Sequence, residues 1–317
     1  MIHQAIILAA GRGARLGPLT HDRPKSMLPI AGKPILARLM DGLAAAGIRE
    51  FIIVVGADDR SITEYFGQNG YASAQITIAH QDRPTGTVDA LLQAAPHITG
   101  PFLLSSVDNL TSPEHVRNLI ARFLAHPDHV AALSLLPATP DQIRVSSDVL
   151  IDGDRIAGIE EKPSVPRSLY AAIMLYAFSQ CLLDYLPGVK VSPRGEREIA
   201  SAIQASIEDG RRVGYAITDW RLHLTRDSDL LAINRHFLQH DREHRILSDL
   251  PGTVEIVPPV RIDPGVVVGP GSIVGPNTYL ETGSIIGDGS RLRDCVVLRN
   301  SQVSPGAELS DQIIASS

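Results

Sequence analysis

Cysteine is scarce in this chain, and its scarcity excludes a disulfide framework. Cys181 and Cys295 are the only two among 317 residues, and their separation does not match a metal-binding pattern. Both are therefore expected to be small, buried or half-buried hydrophobic residues.

Long apolar runs are absent as well. No segment approaches the roughly 20 apolar residues of a membrane-spanning helix. The N-terminal apolar run of about eight residues leads directly into a glycine-rich loop, which is unlike a signal peptide. The formal charge of −6 comes without a basic cluster, which argues against a nucleic-acid-binding protein. We therefore expect a cytoplasmic protein with neither a nucleic-acid nor a membrane partner.

What the sequence does have is a glycine-rich stretch at residues 8–34, LAAGRGARLGPLTHDRPKSMLPIAGKP. The apolar run over 5–10 ends at GRGAR, a pattern typical of a buried strand that leads into a tight turn. Glycine lets the backbone lie against a ligand and point N–H groups at it. Arg15 and Lys25 add positive charge that suits phosphate oxygens. The combination predicts a nucleoside-triphosphate site.

Two common glycine loops do not fit this stretch. The dinucleotide-binding fingerprint requires a third glycine where this chain has Leu16, and the P-loop requires a Gly-Lys-Ser/Thr string that is absent. Instead, GRGARL at 11–16, PK at 24–25 and LPIAGKP at 28–34 closely resemble the signature of sugar-1-phosphate nucleotidylyltransferases, or NDP-sugar pyrophosphorylases. The resemblance implies that Arg15 and Lys25 are catalytic, that they hold the triphosphate, and that Mg²⁺ assists. It also implies nucleotide binding at the start of the loop, by Leu8, Ala10, Gly11 and Gly13.

Apolar runs typical of buried strands alternate with segments of helical spacing along the first part of the chain. The pattern predicts helices over 35–46, 61–66, 87–95, 113–125, 198–209 and 228–240. It predicts strands over 51–55, 76–80, 102–105, 130–136, 169–178 and 213–220, and a hairpin over 149–160 that turns at 152–154. Strands alternating with helices indicate βαβ units. We therefore predict an α/β domain over 1–245, with a Rossmann-like, mixed and mostly parallel sheet.

A second pattern fills the C-terminal region. Large apolar residues recur at a step of six and continue one residue early near the end, at Ile256, Ile262, Val268, Val274, Leu280, Ile286, Leu292, Leu298, Val303 and Leu309. A six-residue period is typical of a β-helix whose apolar residues point into a triangular prism. Residues 246–317 are therefore predicted to form a short parallel β-helix of about three coils. Resemblance to a domain often fused to these enzymes implies left-handed winding, and a homo-oligomer formed through this domain is expected.

Residues 81–90, QDRPTGTVDA, resemble the family's base-reading segment. A glutamine amide offers one acceptor and two donors, which can pair with uracil or thymine. The resemblance implies nucleotide-binding roles for Gln81, Gly86 and Thr87, with Gly86 letting the backbone approach the base. UTP or dTTP is therefore favoured. Taken alone, the segment would rather indicate the start of a helix.

Asp108 follows an apolar strand, and ligands of open parallel sheets bind beyond the carboxyl ends of strands. It matches the family's Mg²⁺-binding aspartate, with Val107 in place of the usual glycine, although a turn or capping aspartate is the alternative. A gapless alignment through Asp229 puts His223 where the family has a second metal ligand, Asp or Asn. Histidine is a poor Mg²⁺ ligand, so Mn²⁺ is the alternative cofactor, and a half-buried strand residue without a metal role fits His223 equally well.

The string EKP at 161–163 resembles the family's sugar-phosphate motif, which implies that Glu161 and Lys162 bind the sugar phosphate. Alone, it would indicate an exposed charged turn. The strand over 169–178 resembles another family segment, with Met174 in place of a glycine and Ala172 in place of an asparagine. Met174 is therefore expected in a sugar pocket that differs from the family's.

Together these features predict an enzyme that makes an NDP-sugar and pyrophosphate from an NTP and a sugar 1-phosphate. Two alternatives remain open. The departures at Val107, Met174 and His223 favour a catalytically weak relative that binds a nucleotide or nucleotide sugar in a regulatory or assembly role. Transfer to a non-sugar phosphate, such as a phosphorylated choline or glycerol derivative, is the other.

Overall fold

The computed structural model describes residues 1–11, 13–57, 59–69, 71, 74–240 and 244–316, without the side chains of residues 14, 68 and 69. Its α-helices are α1 (Ile35–Ala45), α2 (Ser61–Asn69), α3 (Thr87–Ala94), α4 (Pro113–Leu124), α5 (Pro140–Ile143), α6 (Ile199–Glu208) and α7 (Asp227–His240). Short 3-10 helices cover Ala14–Thr20, Lys25–Met27, Ala95–His97 and Gln180–Tyr185. None of the helices described combines the length and the apolar character needed to cross a membrane.

The strands fall into two groups along the chain. The first comprises β1 (Gln4–Leu8), β2 (Pro29–Ile30), β3 (Lys33–Pro34), β4 (Glu50–Gly56), β5 (Gln75–Gln81), β6 (Phe102–Ser106), β7 (Asn109–Leu110), β8 (His129–Pro137), β9 (Ser147–Asp152), β10 (Arg155–Glu161), β11 (Tyr170–Phe178), β12 (Arg212–Ile217) and β13 (Leu222–His223). The second comprises β14 (Arg245–Ile246), β15 (Glu255–Ile256), β16 (Val260–Ile262), β17 (Val267–Val268), β18 (Ile273–Val274), β19 (Thr278–Leu280), β20 (Ile285–Ile286), β21 (Arg291–Arg293), β22 (Val296–Val297), β23 (Gln302–Val303), β24 (Glu308–Ser310) and β25 (Ile313–Ile314).

The chain packs into two compact units. One unit joins Met1–Gly11 to Leu39–Arg221, and the other joins Arg12–Arg38 to Leu222–Ser317. The glycine-rich stretch is therefore divided, because its strand belongs to the first unit and the loop that follows belongs to the second. The domain boundary between residues 245 and 246 stays a prediction.

The first unit contains a mixed sheet with the order β10-β9-β11-β6-β1-β4-β5, in which β8 pairs with β11 and β12 pairs with β8. The strands β6, β1, β4 and β5 run parallel, whereas β11 runs antiparallel to β6. Apolar residues at Ile6, Ile52 and Leu104 are buried in one cluster with α3 and α6. Continuous apolar runs are typical of parallel strands covered on both faces, which is the reason that the sequence pattern could predict this block.

Most predicted elements are confirmed to within a few residues. The strand predicted over 213–220 is too long: it ends at Ile217, because the Thr218 hydroxyl accepts a hydrogen bond from the Trp220 N–H at 3.2 Å and turns the chain. The short helix α5 was not predicted. It is stabilised by a capping box in which Thr139 and Gln142 bond reciprocally.

The second unit contains the predicted parallel β-helix. Its three sheets have the orders β14-β16-β19-β22-β25, β15-β18-β21-β24 and β17-β20-β23. Residue 260 pairs with residue 278, a coil of 18, whereas residue 285 pairs with residue 302, a coil of 17. The coil is shortened by one residue between Leu292 and Val297, because Leu292 pairs 18 residues back with Val274 whereas Val297 pairs 17 residues back with Leu280. Val303 therefore comes one residue early. The hexad positions from Ile262 to Leu292, and Val303, belong to the buried core of the prism, as predicted. The prediction is wrong at Leu298: Val297 pairs with Leu280 and takes the inner position instead.

Candidate active site

The carboxyl ends of the parallel strands gather several predicted site residues at one edge of the first unit's sheet. Leu8, the last residue of β1, pairs with Ser106 at the end of β6. The N–H of Val107 donates to the carbonyl oxygen of Leu8 at 3.2 Å, so Asp108 follows immediately beside β1. Gln81 ends β5 and pairs with Gly56 at the end of β4. This edge is where open α/β sheets bind their ligands.

Ala10 and Gly11 continue from β1 beyond this edge, where Ala10 is half-buried and Gly11 is exposed. The N–H of Ala9 donates to the carbonyl oxygen of Val54 at 2.8 Å, so the chain leaves the sheet only after that residue. Ala10 and Gly11, two of the residues predicted to bind the nucleotide, are thus the first residues outside the sheet.

Asp108 is half-buried and sits between the buried residues Val107 and Asn109. A carboxylate at this position is a hard oxygen ligand of the kind that Mg²⁺ prefers. The donor chemistry of Asp108 therefore fits the predicted metal.

His223 belongs to the second unit, where its Nδ1 lies 3.0 Å from the Thr225 hydroxyl. The imidazole is half-buried, and its nitrogen donors suit Mg²⁺ less well than oxygen. The neighbouring carboxylate of Asp229 accepts hydrogen bonds from the N–H groups of Thr225 and Arg226 at 2.7 and 2.8 Å. Asp229, in the first turn of α7, thus bonds back to the two residues before the helix, as the acidic residue of a capping box does.

Within the described residues, one close trio of possible metal ligands, His126, Asp128 and His129, lies where the chain passes from α4 into β8. The two imidazole rings are stacked at 4.5 Å between centroids, so their in-plane lone pairs run side by side rather than converging. Arg212 also lies 3.6 Å from Asp128 and competes with a metal ion for that carboxylate. This trio includes neither of the predicted metal ligands.

The predicted base-reading segment is built against the segment 195–199. The buried Gln81 donates through Nε2 to the carbonyl oxygen of Gly86 at 3.2 Å. Gly86 has φ of 126°, and a β-carbon there would lie 2.3 Å from the carbonyl oxygen of Arg197. A glycine is thus required here because the backbone of Arg197 packs directly against it. Its predicted contact with the base stays a prediction. Thr87 accepts through Oγ1 from the N–H of Ile199 at 2.8 Å.

Sequence reasoning missed the part played by Arg197. Its backbone N–H donates to the carbonyl oxygen of Thr85, and its carbonyl accepts from the N–H of Val88, at 2.9 and 3.0 Å. Its guanidinium pairs with Asp89 at 2.5 Å and donates to the carbonyl oxygen of Val189 at 2.9 Å. The string GERE at 195–198 contains Arg197 and stands out in the sequence. Nothing in the sequence, however, indicated that this residue holds the base-reading segment in place.

The predicted sugar-phosphate residues lie at the end of the hairpin β9–β10. The N–H of Lys162 donates to the carbonyl oxygen of Ser146 at 2.7 Å, and its Nζ lies 3.7 Å from the carboxylate of Glu161. Glu161 accepts a short hydrogen bond from the Ser147 hydroxyl. Burial, reinforced by the charge of Glu161, raises the pKa of the Tyr176 phenol, which is also hydrogen-bonded to Ser147. Tyr176 and Ser147 therefore fix the orientation of Glu161.

Met174 interrupts β11 close to these residues. Its φ is 37°, and the register of β11 against β8 shifts between Ala172 and Tyr176. A positive φ is an uncommon conformation for a bulky residue but costs glycine little. A glycine at this position would adopt the bulge at little cost, whereas methionine holds it under strain.

The remaining predicted residues belong to the second unit. Gly13 has φ of 66° and begins the 3-10 helix that carries the exposed Arg15. A β-carbon on Gly13 would lie 3.0 Å from Cβ of Lys25. The glycine thus lets Lys25 pack against the turn. The predicted contacts of Arg15 and Lys25 with the triphosphate stay predictions.

Comparison with known proteins identifies the family. Residues 4–221 match the family described as Nucleotidyl transferase, and residues 256–317 match the GMPPB C-terminal domain. The chain is 34% identical to UTP–glucose-1-phosphate uridylyltransferase AglF of Haloferax volcanii, over 70% of this chain and 90% of that protein. It is 31% identical to glucose-1-phosphate thymidylyltransferase of Streptomyces antibioticus, over 80% of this chain and 69% of that protein.

A solved structure supports the fold. The crystal structure of UDP-glucose pyrophosphorylase complexed with UDP-glucose superposes with a TM-score of 0.68 at 20% identity, covering 75% of this chain and 99% of that one. The sequence of this protein matches the Nucleotidyl transferase family over residues 4–221, which is most of its length. That segment contains the sheet, the glycine loop and the carboxylate of Asp108. The protein is a member of the nucleotidyl transferase family, and its relatives are sugar-1-phosphate nucleotidyltransferases.

Proposed function

We propose that the protein transfers a nucleotidyl group from an NTP, preferably UTP or dTTP, to a sugar 1-phosphate and releases pyrophosphate. The observation that carries the proposal is the arrangement at one edge of the sheet. The nucleotide loop leaves β1 there, beside Asp108, and the base-reading segment leaves β5. The relatives named as uridylyl- and thymidylyltransferases support the choice of nucleotide.

The proposed reaction is an in-line displacement. An oxygen of the sugar phosphate attacks the α-phosphorus of the NTP, the bond to the bridging oxygen breaks, and pyrophosphate leaves with that electron pair. The attacking phosphate monoester has a second pKa near ~6 and is already ionised at neutral pH, so no general base is needed. The chain has to supply position and positive charge.

The residues present can meet these two requirements. In this proposal Arg15 and Lys25 neutralise the triphosphate, and Lys162 orients the sugar phosphate with Glu161 beside it. A bound Mg²⁺, held by the carboxylate of Asp108, would supply further neutralisation of phosphate charge. Gln81 reads the base and Met174 lines the sugar pocket.

The test is a screen of UTP, dTTP, CTP, ATP and GTP against several sugar 1-phosphates, with pyrophosphate release as the readout and product mass as confirmation. We expect release with UTP or dTTP and its near-complete loss in Asp108→Asn. The control is Asp152→Asn, at an exposed carboxylate in the hairpin turn. A clear preference for GTP would contradict the base assignment, and wild-type rates in Asp108→Asn would contradict the role of Asp108.

A catalytically weak relative is the second candidate, and the strained Met174 favours it. Such a protein would bind nucleotide or nucleotide sugar without turnover. Calorimetric binding of UTP and of a UDP-sugar, combined with no pyrophosphate release from any pair in the screen, would support this candidate. Product mass in the same screen tests transfer to phosphocholine or glycerol phosphate.

We also propose that the β-helix joins copies of this chain. Val267 and Ile285 pair on one sheet and are 57% and 43% exposed, which is unusual for large apolar side chains on adjacent strands. Light scattering should give a mass above the 34.1 kDa of one chain. The double variant Val267→Glu, Ile285→Glu should lower that mass, whereas Val191→Glu, at another exposed apolar residue, should not. An unchanged mass in the double variant would contradict this interface.

A further inference from the structure

Arg23 and Glu281 form a buried ion pair inside the second unit. The guanidinium donates to both carboxylate oxygens, at 2.5 and 3.0 Å. The side chains are only 6% and 12% exposed. Burial alone would lower the pKa of Arg23, but the hydrogen bonds and charge of Glu281 raise it above its ordinary value. Such bidentate pairs fix an orientation as well as a distance.

A second ion pair, between Arg299 and Asp22, links the same two segments of the chain. Arg299 donates through its backbone N–H to Glu281 at 2.8 Å and through Nε to the carboxylate of Asp22 at 2.6 Å. Its guanidinium also donates to the carbonyl oxygen of Asp22 at 2.9 Å. Glu281 and Arg299 lie on neighbouring coils, because the N–H of Glu281 bonds to the carbonyl oxygen of Val297. Asp22 and Arg23, two consecutive residues of the loop, are therefore bound by side chains on two neighbouring coils of the β-helix.

Lys25 lies two residues after Arg23, and the backbone between them is restrained. Pro24 lies between Arg23 and Lys25 with φ of −69°, and its carbonyl accepts from the N–H of Met27 at 2.9 Å. The proline ring restricts φ and removes a rotational degree of freedom. The position of Lys25 thus depends on where Arg23 is held.

The far end of the loop is held by the same unit. Ala31 and Gly32 form a two-residue hairpin turn with φ of 44° and 78°, as a type I′ turn requires. Asn234 of α7 accepts from the N–H of Ala31 at 2.7 Å. A β-carbon on Gly32 would lie 2.0 Å from Nε of Arg261, so a β-helix side chain covers the turn.

We propose that the ion pair of Arg23 with Glu281 is a positioning device that sets Lys25 for the triphosphate, so that the β-helix takes part in nucleotide binding. The proposal rests on the proposed function, in which Lys25 contacts the NTP. A buried ion pair contributes little net stability compared with an apolar pair of similar volume. What it supplies that an apolar pair cannot is a defined orientation of the loop.

The test separates positioning from stability by comparing three variants. Glu281→Gln removes the charge, Arg23→Lys keeps the charge but loses the fork, and the double variant Arg23→Met, Glu281→Leu restores packing without orientation. We expect KM for the NTP to rise about ten- to hundredfold in all three, on the order of the cost of misplacing a reacting group. KM for the sugar 1-phosphate should change less than about twofold, and the double variant should melt near the wild-type temperature.

The control is the double variant Arg291→Met, Glu308→Leu, which removes an exposed ion pair of the β-helix at 3.8 Å. It should leave both KM values unchanged. If the three variants at Arg23 and Glu281 alter only the melting temperature and leave KM for the NTP at the wild-type value, the pair is merely structural and the proposal is wrong.

A readout that does not depend on turnover keeps the two proposals distinguishable. Lys25 is half-buried, so its rate of modification by an amine-reactive reagent, measured by mass spectrometry, reports on its placement. We expect faster modification of Lys25 in Glu281→Gln, with the exposed Lys33 of the same loop unchanged. An unchanged Lys25 rate would overturn the positioning role. No pyrophosphate from the wild-type protein, together with a changed Lys25 rate, would overturn only the proposed function.

Discussion

The side-chain amide of Asn109 donates a hydrogen bond to the carbonyl oxygen of Ile173 at 2.5 Å. This bond joins the residue after Asp108 to the residue before Met174. The predicted metal ligand and the bulge of β11 are therefore coupled by one buried contact. A change in the backbone at Met174 will reach the loop that carries Asp108.

Replacing Met174 with glycine should relieve strain at this bulge. A bulky residue at positive φ costs about 1–3 kcal/mol, and glycine loses about 0.5–1 kcal/mol in chain entropy. We expect Met174→Gly to raise the free energy of unfolding by about 1 kcal/mol and to lower KM for the sugar 1-phosphate. Urea unfolding and initial rates measure the two effects.

The matched control for this bulge is Ala172→Gly, on the same strand where the backbone has no positive φ. Glycine there adds chain entropy, which costs about 0.5–1 kcal/mol, and also removes a buried methyl group, so this variant should lose stability. If both variants lose stability equally, Met174 is not strained.

Replacing Gly86 with alanine should disrupt the base-reading segment. Its φ of 126° disfavours alanine, and the new β-carbon would lie 2.3 Å from a carbonyl oxygen of Arg197. We expect a loss of about 2–4 kcal/mol in unfolding free energy and a raised KM for the NTP. The control is Gly100→Ala, where a β-carbon meets open space. Equal stability of these two variants would show that the contact with Arg197 is easily relaxed.

Features that depend on a local sequence pattern could be predicted. Contacts between residues far apart in the chain could not. The hexads predicted the inner positions from Ile262 to Leu292, since each coil repeats the same local geometry, and failed at Leu298, where a shortened coil puts Val297 inside. The ion pair of Arg23 with Glu281 joins residues 258 apart, and no periodicity connects them. The loop that carries Arg23 likewise packs in one compact unit with residues more than 180 positions later in the chain, which no local pattern indicates.

His115 should make the protein sensitive to acid. Its Nε2 lies 2.8 Å from the buried Ser134 hydroxyl, and burial lowers the pKa of its imidazole. The folded state thus binds a proton less readily than the unfolded chain, whose histidines titrate near 6.5. The stability associated with neutral His115 is full above that pH and falls as the pH drops through 6.5 toward the lowered pKa.

We therefore expect His115→Gln, which preserves a nitrogen donor near Ser134, to flatten the loss of unfolding free energy between pH 7.5 and 5. Urea unfolding at several pH values measures the slope. His97→Gln, at an exposed histidine, should leave the wild-type slope. Identical slopes in wild type and His115→Gln would show that another group causes the acid sensitivity.

His223 is expected to weaken the use of Mg²⁺. Mg²⁺ is small and strict about octahedral oxygen ligands, whereas Mn²⁺ accepts nitrogen more readily. If His223 is the second metal ligand, His223→Asp should raise the Mg²⁺-supported rate and narrow any advantage of Mn²⁺. Water can replace a missing ligand, so His223→Ala should impair the reaction rather than abolish it. Initial rates over a series of Mg²⁺ and Mn²⁺ concentrations measure this dependence.

The metal dependence is a better readout than the maximal rate, because Met174 could still limit the sugar step. His97→Asp adds the same negative charge at an exposed site of the first unit and should leave the dependence unchanged. If His223→Asp and His223→Ala both leave it unchanged, His223 is outside the metal shell. Asp219 and Asp227, both exposed, would then be the carboxylates to test. Asp229 is a weaker choice, because its carboxylate already accepts two backbone N–H groups at the start of α7.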